Sequence, residues 1–179
     1  VGRLALVLGT HAQAQSDDQK YSTPWREAIA AYRAGDLGTA EKTLRTYAAG
    51  DPDAEAWLGV VLIDRGNNRE AIKALQHAAD AGSSEANHRL GLAYAEGLAG
   101  TPRNDQRAAE YFEKAANAGH RRAQINLGIL YLRGQGVKRD LVQARAWLEK
   151  AAATDDPSAL YTLGRAMEER DETIAADSI

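Results

Sequence analysis

Cysteine is absent from this 179-residue chain. Disulfides, thiol nucleophiles and thiolate metal sites are excluded together. The absence suits oxidising and reducing compartments alike, so it does not decide location. Phenylalanine occurs once, as Phe112, while alanine is abundant, so the core is built from small residues that let helices approach closely. No apolar run reaches the roughly 18 residues that a membrane-spanning helix needs. An excess of positive charge is missing too. The net charge is −3, and no global basic field recruits nucleic acid or acidic lipid. No G-x-S-x-G elbow, Walker A loop or S-x-x-K motif occurs. What remains is a chain that is 44% hydrophobic and 26% charged, the composition and length of one ordinary domain or one solenoid.

One pattern is present, and it repeats. From Ala123 to Ala159, Leu127, Gly128 and Tyr131 set the apolar stripe of one helix, while Ala144, Trp147, Leu148, Ala151 and Ala152 set that of a second. Gly134, Gly136 and Val137 turn the chain between them, and Asp140 stands at an N-cap position. Neither helix buries its apolar face alone, so the unit has to stack on copies of itself. A third unit carries Ala86, Leu90, Gly91 and Tyr94, then Ala108, Tyr111, Phe112, Ala115 and Ala116. A second carries Ala54, Leu58, Gly59 and Leu62, then Ala71, Leu75, Ala78 and Ala79, after a turn over Gly50-Asp51-Pro52-Asp53. In the first, Thr23-Pro24 opens a helix with Trp25, Ala28, Ile29 and Tyr32, and its partner starts near Leu37 with Ala40, Leu44, Tyr47 and Ala48. A fifth unit begins at Ala159, with Leu163, Gly164 and Met167, and loses its pattern after Arg170.

The alanine that opens each unit recurs at Ala54, Ala86, Ala123 and Ala159, intervals of 32, 37 and 36 residues. Helix lengths barely change, so the variation sits in the loop between helix A and helix B. Gly59, Gly91, Gly128 and Gly164 fall in register on helix A. Glycine there costs about 1 kcal/mol against alanine in an isolated helix, so close packing has to return it.

The N-terminal stretch has the order of a secretory signal: Arg3, an apolar run from Leu4 to Leu8, the small-residue pattern Ala12-Gln13-Ala14, then polar and acidic residues. Residues 1–14 are therefore expected to be a signal-peptide remnant, 15–22 a flexible spacer, 23–170 the repeat solenoid and 171–179 a flexible tail. The expected location is periplasmic or secreted. A leader that is not a signal would instead make the chain a cytoplasmic adaptor.

Candidate chemistry is sparse. His11, His77, His88 and His120 share no metal-ligand spacing, and His88 on helix A reads as a surface histidine. Asp155-Asp156 and Glu168-Glu169 are adjacent on their helices and point different ways, so neither is an acid–base couple. No catalytic residue, metal or cofactor is expected. Charge is uneven: Arg121, Arg122, Arg133, Lys138, Arg139, Arg145 and Lys150 face only Asp140 and Glu149 in their stretch. That region is either a patch for an acidic partner or polysaccharide, or solvated faces with pairing between neighbouring repeats.

These residues resemble the Sel1-like repeat family, a relative of tetratricopeptide repeats. The fourth unit matches the family pattern throughout: Ala123, Leu127, Gly128, Tyr131, Gly134, Gly136, Val137, Asp140, Ala144, Trp147, Ala151 and Ala152. In the third, one loop residue is inserted, Asn104 replaces the aspartate and Tyr111 takes the tryptophan place. The resemblance implies an all-α, right-handed α-solenoid of about four hairpins plus a terminal helix. Gly59, Gly91, Gly128, Gly164, Tyr94, Tyr131 and Trp147 are its repeat-defining residues. It also implies a non-catalytic scaffold or adaptor for another protein. In bacteria such proteins often work at the cell envelope. Helix A lines the concave side of such stacks, where Trp25, Ile29, Tyr32, Val60, Ile63, His88, Leu92, Ile125, Ile129, Leu132, Tyr161 and Arg165 would form a groove for an extended or helical partner segment. The same stripe is equally explained as core, if tight coiling buries it. The chain is expected to act as a monomer, with no nucleic-acid partner. An envelope hydrolase or cell-wall-binding protein is the alternative.

Overall fold

In a computed structural model of the chain, the described residues are 25–153 together with 161, 162 and 164. Eight helices run among them: α1 (Arg26–Arg33), α2 (Leu37–Tyr47), α3 (Pro52–Asp64), α4 (Asn68–Asp80), α5 (Ser84–Glu96), α6 (Asp105–Asn117), α7 (Arg121–Arg133) and α8 (Leu141–Ala152). They pack as four successive hairpins, each helix against the next in the chain, with α3 also touching α5. The architecture is an all-helical solenoid, as the repeat pattern implies. None of the described helices is long and apolar enough to cross a membrane. The leader, the spacer, the Thr23-Pro24 helix start, Arg165 and the tail lie outside the described residues.

Local sequence explains where most of the helices start. Asp140 caps α8 by accepting from the backbone N–H groups of Val142 and Gln143 at 2.9 and 3.0 Å. Asn104, standing where the family has aspartate, accepts from Arg107 N–H at 2.9 Å and caps α6 in the same way. At Gly50-Asp51-Pro52-Asp53 the chain does less turning than expected. Asp51 is the N-cap and accepts from Asp53 and Ala54, so Pro52 and Asp53 are already the first turn of α3. Proline suits that place because its missing N–H has no partner to lose. α5 and α7 end at Gly97 (φ +70°) and Gly134 (φ +67°), left-handed positions that glycine adopts without strain.

The A helices α3, α5 and α7 are buried on most faces, whereas α2, α4 and α6 bury one stripe each. An A helix has its own B helix on one side and neighbouring hairpins on the others. Three of the four register glycines mark the A–B contact, whereas a methyl on Gly164 would meet nothing within 4 Å among the described residues. A methyl group on Gly59 would lie 2.7 Å from Leu75 Cγ, one on Gly91 2.5 Å from the Phe112 ring, and one on Gly128 2.7 Å from Leu148 Cγ. Gly136 does the equivalent work between units, where the fourth loop presses on the Asp105 carbonyl that opens α6.

Candidate functional site

The apolar stripe of the A helices is mostly core. Trp25, Ile29, Val60, His88, Leu92, Ile125, Ile129 and Leu132 are all buried, with Leu132 only 1% exposed. Tyr32 and Ile63 are half-buried, and Tyr161 is 66% exposed. An open groove anchored on the eight buried side chains is therefore corrected to inter-helix packing, because α3, α5 and α7 are enclosed by neighbours on most faces. At its edge the stripe turns polar. The Tyr32 and Trp57 rings meet edge to face at 5.8 Å, Arg89 lies over Trp57 at 5.2 Å, and the Tyr32 hydroxyl donates to Asp64 at 2.7 Å. Burial and the Asp64 carboxylate push that hydroxyl up to about 12.

His88 is where sequence reasoning missed most. It is not on the surface but fully buried, between Phe112 and His120, whose ring stacks on it at 4.4 Å and 22°. The third member is Glu85, also buried. His120 donates Nε2–H to Glu85 Oε2 at 3.0 Å, while its Nδ1 accepts the backbone N–H of Ala123 at 3.3 Å and so caps α7. Arg89 holds the other Glu85 oxygen at 2.6 Å. Burial alone would raise the Glu85 carboxyl, but Arg89 and His120 outweigh it and hold it well below the usual range. Burial, with the neighbouring His120, drives His88 well below the ordinary histidine value. His88 Nε2 sits 3.4 Å from the Asn126 amide nitrogen, and its Nδ1 meets no hydrogen-bond partner. A buried donor left unsatisfied costs about 1–3 kcal/mol.

Part of this arrangement follows the repeat. Ser83 caps α5 and donates to Asp53 Oδ1 in the first turn of α3 at 2.6 Å. One unit later, His120 caps α7 and bonds Glu85 in the first turn of α5. Each cap thus ties one A helix to the one before. Nothing in the spacing of Glu85, His88 and His120 announces this meeting, which only the stacking of one unit on the next brings about.

Two further surfaces bear on function. Tyr94 and Tyr111 stack at 5.6 Å and 4°, with Arg107 over Tyr94 at 5.4 Å and Lys114 over Tyr111 at 5.2 Å. With Gln76 and Glu110 they line a cleft of about 240 Å³. In the basic region much of the charge is engaged inside its own unit. Arg139 donates to the Leu132 carbonyl at 3.0 Å, Arg145 pairs with Glu149 at 2.6 Å, and Lys150 stands 4.0 Å over the Trp147 ring.

Residues 84–120 and 121–156 match the Sel1 repeat. The ERAD-associated E3 ubiquitin-protein ligase component HRD3B of Arabidopsis thaliana is 41% identical over 101 residues, which are 56% of this chain and 16% of that protein. The chain therefore spans well under two thirds of that relative. A Sel1 repeat protein from Oxalobacter formigenes superposes with a TM-score of 0.62 and 35% identity, over 68% of this chain and 95% of that one. The protective antigen c5321 of uropathogenic Escherichia coli superposes with a TM-score of 0.69 and 26% identity, over 88% of this chain and 37% of that one. Cysteine-rich protein B of Helicobacter pylori shares the fold, with a TM-score of 0.57 at 20% identity, over 78% of this chain and 96% of that one. Sel1 repeat proteins act as protein–protein interaction scaffolds. With the register glycines, the capped hairpins and a near full-length match to a solved Sel1 protein, this chain belongs to the Sel1 repeat family.

Proposed function

We propose that this chain is a non-catalytic adaptor of the bacterial cell envelope that holds a segment of another protein on its tyrosine–cation face. The observation that carries the reading is the ladder Arg107–Tyr94–Tyr111–Lys114 on α5 and α6, in which Tyr94 is buried, Tyr111 is half-buried and the exposed Arg107 and Lys114 present the accessible edge. Tyrosine and arginine are the side chains that concentrate binding energy at protein interfaces, since they bring large contact area and directed polar groups together. Arg107, Glu110 and Lys114 are exposed beside it, and the Asp80 carboxylate also acts on Tyr111, so the face offers charges of both signs to a partner segment. The apolar stripe cannot serve in the same way, since its side chains are already packed. For the same reason Leu132→Asp would test folding rather than binding.

The test is retention of envelope proteins by the wild-type chain and by an Arg107→Glu, Lys114→Glu double variant, whose changes lie at exposed positions. A protein held by the wild type, lost from the variant, and rebound when both are purified supports the adaptor. Equal retention by both sinks the tyrosine–cation face. Export is checked separately by the mass of the mature N-terminus. An uncleaved chain in the cytoplasm would end the envelope assignment.

A further inference from the structure

We propose that Glu85, His88 and His120 form a site for one divalent transition-metal ion of zinc chemistry, tying the first turn of α5 to the cap of α7. One ring nitrogen of each histidine and one Glu85 carboxylate oxygen lie within 4.8 Å of one another, and all three residues are buried. Two imidazoles and a carboxylate are a ligand set that zinc favours, whereas calcium and magnesium select oxygen donors alone. Bonds of about 2.0–2.1 Å in a tetrahedral site hold donors near 3.4 Å apart, so the widest edge of the cluster has to close by up to about 1.4 Å. Its Glu85–His120 edge, at 3.0 Å, is already short enough.

What binding displaces is explicit. The ion takes the place of the proton that His120 Nε2 now shares with Glu85, and that proton moves to Nδ1 of the same neutral ring, so none is released. The His120 ring then carries its proton on Nδ1 and gives up the long 3.3 Å cap to Ala123. His88 contributes Nδ1, the buried nitrogen with no partner, and its Nε2–H donates to the Asn126 amide oxygen once that amide is turned over. The stacked rings have to open, because lone pairs in nearly parallel planes do not converge on one point. Arg89 stays on Glu85 Oε1 and leaves Oε2 to the ion, the outer-sphere support that ligating carboxylates require. The site would make the junction between the third and fourth hairpins metal-dependent.

The experiment uses the full chain with His11 and His77 replaced by alanine, leaving His88 and His120 as its only imidazoles. After chelation it is titrated with Co²⁺, read by visible absorption, and then with Zn²⁺, read by thermal midpoint. One equivalent of Co²⁺ is expected to give the intense bands of a tetrahedral site, Zn²⁺ to abolish them, and the midpoint to rise with zinc concentration. Arg89→Gln, which leaves all three donors in place, is expected to weaken binding roughly 10–100-fold. Glu85→Gln and His88→Gln, checked for helicity, are expected to lose the bands. Absence of bands and of any midpoint shift in the parent chain overturns the site without reference to a variant. So does binding that survives both His88→Gln and His120→Gln.

Discussion

Gly128 shows how one missing atom sets the distance between two helices. A methyl there meets Leu148 Cγ at 2.7 Å, Leu148 Cδ2 at 3.0 Å and the Ala144 carbonyl oxygen at 3.2 Å, the last of which is backbone. Alanine improves helix propensity by about 1 kcal/mol, while overpacking a tight core costs about 1–3 kcal/mol. Packing is expected to win, so Gly128→Ala should destabilise the chain by about 1–2 kcal/mol in urea denaturation. Gly38, helical but with its nearest contact at an ordinary 3.5 Å, is the opposite case. Gly38→Ala should stabilise by roughly 0.5–1 kcal/mol. The same sign for both variants would refute the contact argument. The register of these glycines was legible because four of them recur at one place, which local helix preference does not explain. His88 was not legible, since the equivalent positions Ala56 and Ile125 are apolar and nothing nearby in the chain announces a buried imidazole.

At the scale of elements, side-chain caps and inter-helix bonds divide the work. Asp140 satisfies two backbone donors of α8, whereas Asn67 makes no side-chain cap bond to α4. Asp140→Ala should cost about 1 kcal/mol and Asn67→Ala only a few tenths, both measured from the shift in denaturation midpoint. The Tyr32–Asp64 bond joins α1 to α3 and gives that junction an alkaline limit. The folded hydroxyl titrates near 12 against an ordinary 10. The folded state therefore keeps a proton that the unfolded chain has already lost. The contribution is complete below pH about 10 and disappears as pH rises through about 12. Tyr32→Phe should flatten that limb in a pH series of denaturation midpoints. An unchanged limb would place the loss on other tyrosines. The helix order and the caps at Asp140 and Asn104 were readable locally. The α3 start at Pro52 was misjudged because Gly-Asp-Pro-Asp serves a turn and a capped helix start equally well.

Across the whole molecule, stability should follow position in the stack. Among the described residues each hairpin touches mainly its neighbours, so the inner hairpins are held from two sides and α1–α2 from one. α1 is also the shortest described helix, with no side-chain cap at Trp25. Backbone amides of α5, α6 and α7 should exchange with deuterium most slowly and those of α1 fastest. Uniform protection from α1 to α8 would mean that the chain opens as one cooperative unit instead.

The sequence by itself determined the repeat, the order of helices, most of their starts and the family, because each rests on local spacing: glycine in register, alternating apolar stripes, and cap residues ahead of each helix. Tertiary structure alone decided which of those stripes meets water. A helix with an apolar face reads the same whether that face lines a groove or meets another helix, and only the stacking of successive hairpins places Ile129 and Leu132 inside. The same stacking brings Glu85, His88 and His120 together across a full repeat, a proximity that no spacing along the chain encodes.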